Sequence, residues 1–101
     1  MLLKEKWTTQ AVDGYEKIIA YILQRWTAKE ALAFIEVVEK SILLIRRLPF
    51  IHPESQSQQG IRRCVIRKKT SLYYCVKPKL IEIIAEIDNR IDPWKIIEQL
   101  K

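Results

Sequence analysis

The chain has 101 residues, 49% of them hydrophobic and 30% charged, with a net charge of +6. That is room for one two-layer core and too apolar for disorder, so one domain over residues 1–101 is expected. No apolar run nears the ~18–20 residues that cross a bilayer, and MLLKEKWTTQ lacks an export signal's apolar centre, so the expected setting is the reduced cytoplasm.

Residues 2–7 suit a short first strand ending at Trp7. Thr8 and Thr9 are N-cap candidates for a helix to about Trp26, with Ala11, Tyr15, Ile18, Ile19, Ile22 and Trp26 at helical spacing. Thr27 and Glu30 have the spacing of a capping box, opening a second helix to about Leu48. Its apolar face is Ala31, Phe34, Ile35, Val38, Ile42 and Ile45, and Pro49 ends it. The two helices form a hairpin. Residues 49–60, PFIHPESQSQQG, are the one polar, loop-like stretch and are expected to be mobile. Glycine occurs only at 14 and 60, which excludes a phosphate-cradling glycine loop.

Beyond Gly60 the period becomes strand-like, with runs at 61–67, 71–76 and 80–88 joined by Lys-Lys-Thr and Lys-Pro-Lys. Connections this short predict an antiparallel meander. A first turn centred on Lys69-Thr70 sets Cys64 opposite Cys75 and Ile66 opposite Tyr73. A second centred on Pro78-Lys79 sets Val76 opposite Ile81 and Tyr74 opposite Ile83. One sheet face then carries Val65, Leu72, Tyr74, Val76, Ile81, Ile83, Ala85 and Ile87, to pack beneath the helices. The open face carries Arg62, Cys64, Ile66, Tyr73, Cys75, Lys77, Glu82, Ile84 and Glu86. The fold class expected is α+β: a strand and a helical hairpin on one face of a mainly antiparallel four-stranded sheet.

Charge is uneven along the chain. Residues 1–60 carry eight basic and seven acidic side chains, whereas 61–79 carry Arg62, Arg63, Arg67, Lys68, Lys69, Lys77 and Lys79 with no acid. Such a field suits a polyanion or an acidic protein, or it is a solvated hairpin. Lys68, Lys69 and Lys79 at hairpin tips read as solubilising residues. Two thiols are half of a zinc site's usual ligands, so no metal is expected; Cys64 and Cys75 read as reduced neighbours able to oxidise in air. His52, between Pro49 and Pro53, reads as an exposed loop residue, and Trp7 and Trp26 as core anchors.

The order of elements, Trp7-Thr8 before the first helix, the arginine opening "GIRRCVI", the aromatic "SLYYCV" and the ending "IIAEIDNRIDPWKI" together resemble the RelE/ParE superfamily of bacterial type II toxins. The ending looks like that family's Asp-x-Arg-x-x-Pro, here Asp88, Arg90 and Pro93. The resemblance implies a toxin, without cofactor, held inactive by a cognate antitoxin. Its target is DNA gyrase in ParE-like members and ribosome-bound mRNA in RelE-like ones. Arg62, Arg63, Arg67, Tyr73, Lys77 and Arg90 are the expected target-binding residues. Among them Arg62, Tyr73, Lys77 and Arg90 are the catalytic candidates for metal-free RNA cleavage, which needs cations at the phosphate and groups that move protons. Glu82, Glu86 and Asp88 are the candidate bases. Cleaving members typically carry a more basic site and a C-terminal tyrosine or histidine. WKIIEQLK has neither, and Trp94 cannot transfer protons, which favours the ParE-like, non-hydrolytic reading. Leu32, Leu44, Ile66 and Ile84, outside both core stripes, are expected to meet the antitoxin; their alternatives are a larger core or a homodimer. The rival reading from another class is a non-toxic basic binding module.

Overall fold

The computed structural model describes residues 2–56 and 58–91; Pro93, Trp94 and the rest of the C-terminal segment lie outside these residues. The chain runs β1 (Lys4–Trp7), α1 (Thr9–Arg25), α2 (Ala28–Arg47), β2 (Arg62–Arg67), β3 (Thr70–Val76) and β4 (Leu80–Asp88). The sheet order is β1-β4-β3-β2, with β1 parallel to β4 and the other pairs antiparallel. Both helices pack on one face, so the architecture expected from the sequence is the one observed.

Thr8 explains how α1 is tied to the sheet. Its hydroxyl oxygen accepts from the Ala11 amide at 3.0 Å, capping the helix, and the hydroxyl donates to the Ile84 carbonyl at 2.8 Å. Thr27 caps α2 by accepting from the Glu30 amide at 3.3 Å. The helical stripes supply Ala11, Ile18, Ile22, Ala31, Phe34, Val38, Ile42 and Ile45 to the core, facing Cys64, Leu72, Tyr74, Ile81 and Ile83 of the sheet. Trp26 departs from its stripe: it is the C-cap residue of α1 and half of it is exposed. The 49–60 segment is tied down at several points. Tyr74 donates its hydroxyl to the Pro49 carbonyl at 2.8 Å, Arg62 donates Nη1 to the His52 carbonyl at 2.7 Å, and the Arg63 amide donates to the Pro53 carbonyl at 3.1 Å.

The second hairpin turns at Pro78-Lys79, as expected, with Val76 opposite Ile81 and Tyr74 opposite Ile83. Two irregularities alter the rest. The first hairpin closes on Lys68-Lys69 and Ile66 is an extra residue in β2, so Cys64 pairs with Leu72 and Arg62 with Tyr74. The expected register was off by an odd number of residues, which exchanges the faces of β2. Cys64 and Ile66 therefore join the core beneath the helices, while Val65 is 58% exposed on the far face. Cys64 and Cys75 lie on opposite faces, and the pairing expected of them is corrected.

In β4, Tyr74 pairs with Ile83 but Tyr73 with Ala85, leaving Ile84 as a bulge residue. Beyond it the alternation inverts. Ala85 and Ile87 join Tyr73 and Ile61 in a second apolar cluster on the far face, corrected from their expected place under the helices. Glu86 and Asp88 turn inward instead, each 3% exposed. Gly14 meets the strand here: a Cβ at that position would collide with the Glu86 carbonyl oxygen. Gly14→Ala should thus lower stability by about 1–3 kcal/mol, the cost of overpacking outweighing the ~1 kcal/mol gain in helix propensity. A thermal melt unchanged or raised in this variant would contradict so close an approach.

Candidate functional site

The end of β4 carries the best-defined polar site. Asp88 closes the strand with its carboxylate under the helices, and both oxygens are used. Oδ2 accepts from the Thr70 hydroxyl at 2.7 Å and from Arg90 Nη2 at 2.6 Å; Oδ1 accepts from the Arg90 amide at 2.8 Å and from Nε at 2.9 Å. Burial alone would raise the Asp88 pKa, but the hydrogen bonds from Arg90 and Thr70 outweigh it and hold the carboxyl below its ordinary range. The Arg90 guanidinium lies 5.4 Å from the Tyr21 ring centre and 5.5 Å from that of Trp26. Tyr21 and Trp26 meet edge to face at 6.0 Å, and Arg25 lies 4.6 Å over Tyr21. Arg67 sits 5.6 Å over Phe34. Ile22, Trp26, Glu30, Arg67 and Arg90 line a recess of about 350 Å³.

Arg90 is therefore not on the open face. The strand stops at Asp88, the Asn89 amide donates to the Lys69 carbonyl, and the turn directs Arg90 back to Asp88 and the end of α1. Glu86 and Asp88 are likewise removed from the expected set of open-face bases by the Ile84 bulge.

Arg62 is also on the helix side, because it pairs with Tyr74. Besides the His52 carbonyl it meets Glu54 at 3.9 Å and lies 4.9 Å over Phe50. Arg62 and Arg90 occupy opposite ends of the sheet, separated by about five strand residues, roughly 17 Å. Tyr73 and Lys77 do share the far face, four residues or roughly 13 Å apart along β3 and its end. Lys77 pairs there with Glu82 at 3.7 Å. Among the described residues the four cleavage candidates thus form no single site.

What does gather on the far face was only partly anticipated. His52, Glu54, Arg63, Val65, Tyr73 and Asn89 contribute to the lining of a cavity of about 660 Å³. Arg63 Nε donates to the Ser71 hydroxyl oxygen at 3.0 Å, fixing it beside Tyr73. His52 is half-buried, and burial lowers its pKa, so the imidazole is neutral at pH 7. Reading it as an exposed loop residue missed this. Its place depends on the bridge between Glu54 and Arg62, a non-local pairing that residue spacing does not announce.

Of the residues expected to meet an antitoxin, Leu32 and Leu44 are exposed, at 66% and 41%. Ile66 packs on the core, as part of a larger interior than the stripes suggest, and Ile84 is half-buried at the bulge. No group of three or more His, Cys, Asp or Glu side chains among the described residues could hold a metal, and no described helix is long and apolar enough to cross a membrane.

No curated protein sequence matches the chain. Solved structures do, by fold. The "Chromosomal ParDE TA system from P. aeruginosa" superposes with a TM-score of 0.74 at 17% identity, over 86% of this chain and 96% of the other. A copper-bound mutant toxin from Helicobacter pylori gives a TM-score of 0.61 at 17% identity, over 88% and 97%. The E. coli DinJ-YafQ toxin-antitoxin complex gives 0.61 at 12%, over 89% and 96%. At such identities the likeness is one of fold. The family described as "ParE toxin of type II toxin-antitoxin system, parDE" matches residues 6–93, from the end of β1 through the Asp88–Arg90 pair to Pro93. The chain belongs to this family of ParE toxins.

Proposed function

We propose that this toxin acts by binding rather than by hydrolysis, that its target is DNA gyrase, and that a cognate antitoxin keeps it inactive in the cytoplasm. The observation that carries the reading is the dispersal of Arg62, Tyr73, Lys77 and Arg90. Two are committed to structural partners on the helix side, and Lys77 is paired with Glu82. The family match to ParE toxins supports the same choice. Two of the structures similar in fold, the ParDE system and the DinJ-YafQ complex, are toxin-antitoxin systems, which supports an antitoxin partner here. Exposed Leu32 and Leu44 are its proposed contacts.

The cavity lined by His52, Arg63 and Tyr73 supports a second reading, RelE-like cleavage of ribosome-bound mRNA, with His52 as proton acceptor and Arg63 at the phosphate. Gyrase supercoiling and ribosome-dependent mRNA cleavage, assayed side by side on the purified toxin, separate the two. The expected result is loss of supercoiling with intact message. Message cleavage that disappears in His52→Ala would replace the gyrase reading. Induction that causes no growth arrest even without the neighbouring open reading frame would mean a non-toxic binding module.

A further inference from the structure

The recess at the end of the sheet has the makings of a ligand site outside the proposed contacts of the antitoxin. Arg90 is fixed by its bonds to Asp88 through Nε, Nη2 and the backbone amide, which leaves Nη1 uncommitted among the described residues. No described acid pairs with Arg67 or Arg25; each lies over an aromatic ring instead. The hairpin tip with Lys68 and Lys69 adjoins this end, since the Lys69 carbonyl accepts from the Asn89 amide. Against these cations stand Asp88, whose oxygens are fully used, and Glu30 at the lip of the recess. The indole of Trp26 borders the same recess and is half exposed.

We infer that this recess binds an unpaired nucleic-acid strand, stacking a base on Trp26 and receiving its phosphate between Arg67 and Arg90. The combination decides the ligand class. A carboxylate side chain of a protein partner would use the arginines and leave the exposed indole idle. A nucleotide uses both, because every base offers a π-face and every linkage an anion. Arginine suits the phosphate, presenting several donors in a fixed plane. The lysines at the adjoining tip would continue the field for the next phosphates. The inference rests on the gyrase reading only in taking DNA, rather than RNA, as the strand met in the cell.

The test uses the purified toxin without gyrase, so its failure is separate from failure of the supercoiling assay. A fluorescein-labelled oligothymidylate is titrated and its anisotropy followed at several salt concentrations, with an oligouridylate of equal length in parallel. Binding is expected to weaken steeply with salt. Trp26→Ala and Arg67→Ala should each weaken it about tenfold, as loss of a stacked base or of a phosphate contact does. Trp26→Phe should recover most of the loss, which distinguishes stacking from a fold defect. Lys79→Ala, a charge-matched change at the other hairpin tip, should cost less than about twofold by comparison with a direct contact. Equal binding of the uridylate supports strand recognition blind to the sugar; weaker binding supports DNA as the strand. No binding at low salt, equal losses in Lys79→Ala and Arg67→Ala, or displacement of the oligonucleotide by polyglutamate at equal charge would each overturn the inference.

Discussion

Glu86→Gln is expected to raise the melting temperature at pH 8 by more than about 5 °C while leaving it nearly unchanged at pH 4, given ~4–8 °C per kcal/mol in a domain this size. Glu86 is 3% exposed, and neither carboxylate oxygen has a hydrogen-bond partner among the described residues. Burial pushes its pKa from 4.5 to about 8. Were it ionised, it would in turn raise the pKa values of Tyr15 and Cys64. The fold therefore holds the protonated acid. Below pH 4.5 both folded and unfolded chains are protonated and nothing is lost. As pH rises towards 8 the unfolded chain gives up its proton and the folded one keeps it, so stability falls, by up to about 1.4 kcal/mol per pH unit. Above about 8 the loss is complete. Glutamine cannot ionise and escapes the whole decline. Wild-type and variant melting curves that run parallel from pH 4 to 8 would show that Glu86 is solvated or paired.

Arg90→Ala is expected to destabilise the toxin by about 2–4 kcal/mol, since it strands a buried carboxylate without its counter-charge. The Asp88 side chain is wholly buried whereas that of Arg90 is 35% exposed, which keeps the figure at the lower end of what buried pairs cost. Arg90→Lys should recover little, because an ammonium cannot reproduce the two-pronged bond to Asp88. Asp88 adds its own pH signature. Its depressed pKa means that its contribution is present above the ordinary carboxylate range and is lost as pH falls through the folded-state value. In growth-arrest assays Arg90→Ala should weaken toxicity more than Lys69→Ala, and the deficit should shrink at lower temperature as the folded fraction recovers. Denaturant midpoints equal to wild type, with toxicity lost, would mean that Arg90 meets the target directly.

The comparison of sequence with structure divides by the range of the interactions. Helical stripes repeat locally, so the buried faces of α1 and α2 were legible from Ala11 to Ile45, and the Pro78 turn announced its own position. The first hairpin was not legible. Lys68-Lys69 and Lys69-Thr70 are both acceptable turn centres, but that choice alone keeps the faces; the extra residue at Ile66 is what reversed Cys64, Ile66 and Val65. Neither the extra residue in β2 nor that in β4 has a glycine or proline to mark it. The candidate site suffered accordingly. Asp88 and Arg90 were visible as a pair, but their face depended on the count of residues in β4. His52 depended on a bridge across the 49–60 segment.

Strict alternation along β4 would have put alanine and isoleucine beneath the helices and both acids in water. One additional residue at Ile84 does the reverse. The unusual electrostatics of this interior, a carboxyl that stays protonated and another that captures an arginine, is thus a property of residue number before it is one of residue type. Among chains of this fold, a one-residue gap within the last strand would relocate charge across the sheet while barely altering its length. Such gaps are where divergent toxins could exchange a titrating core for a charged surface without replacing a single acid.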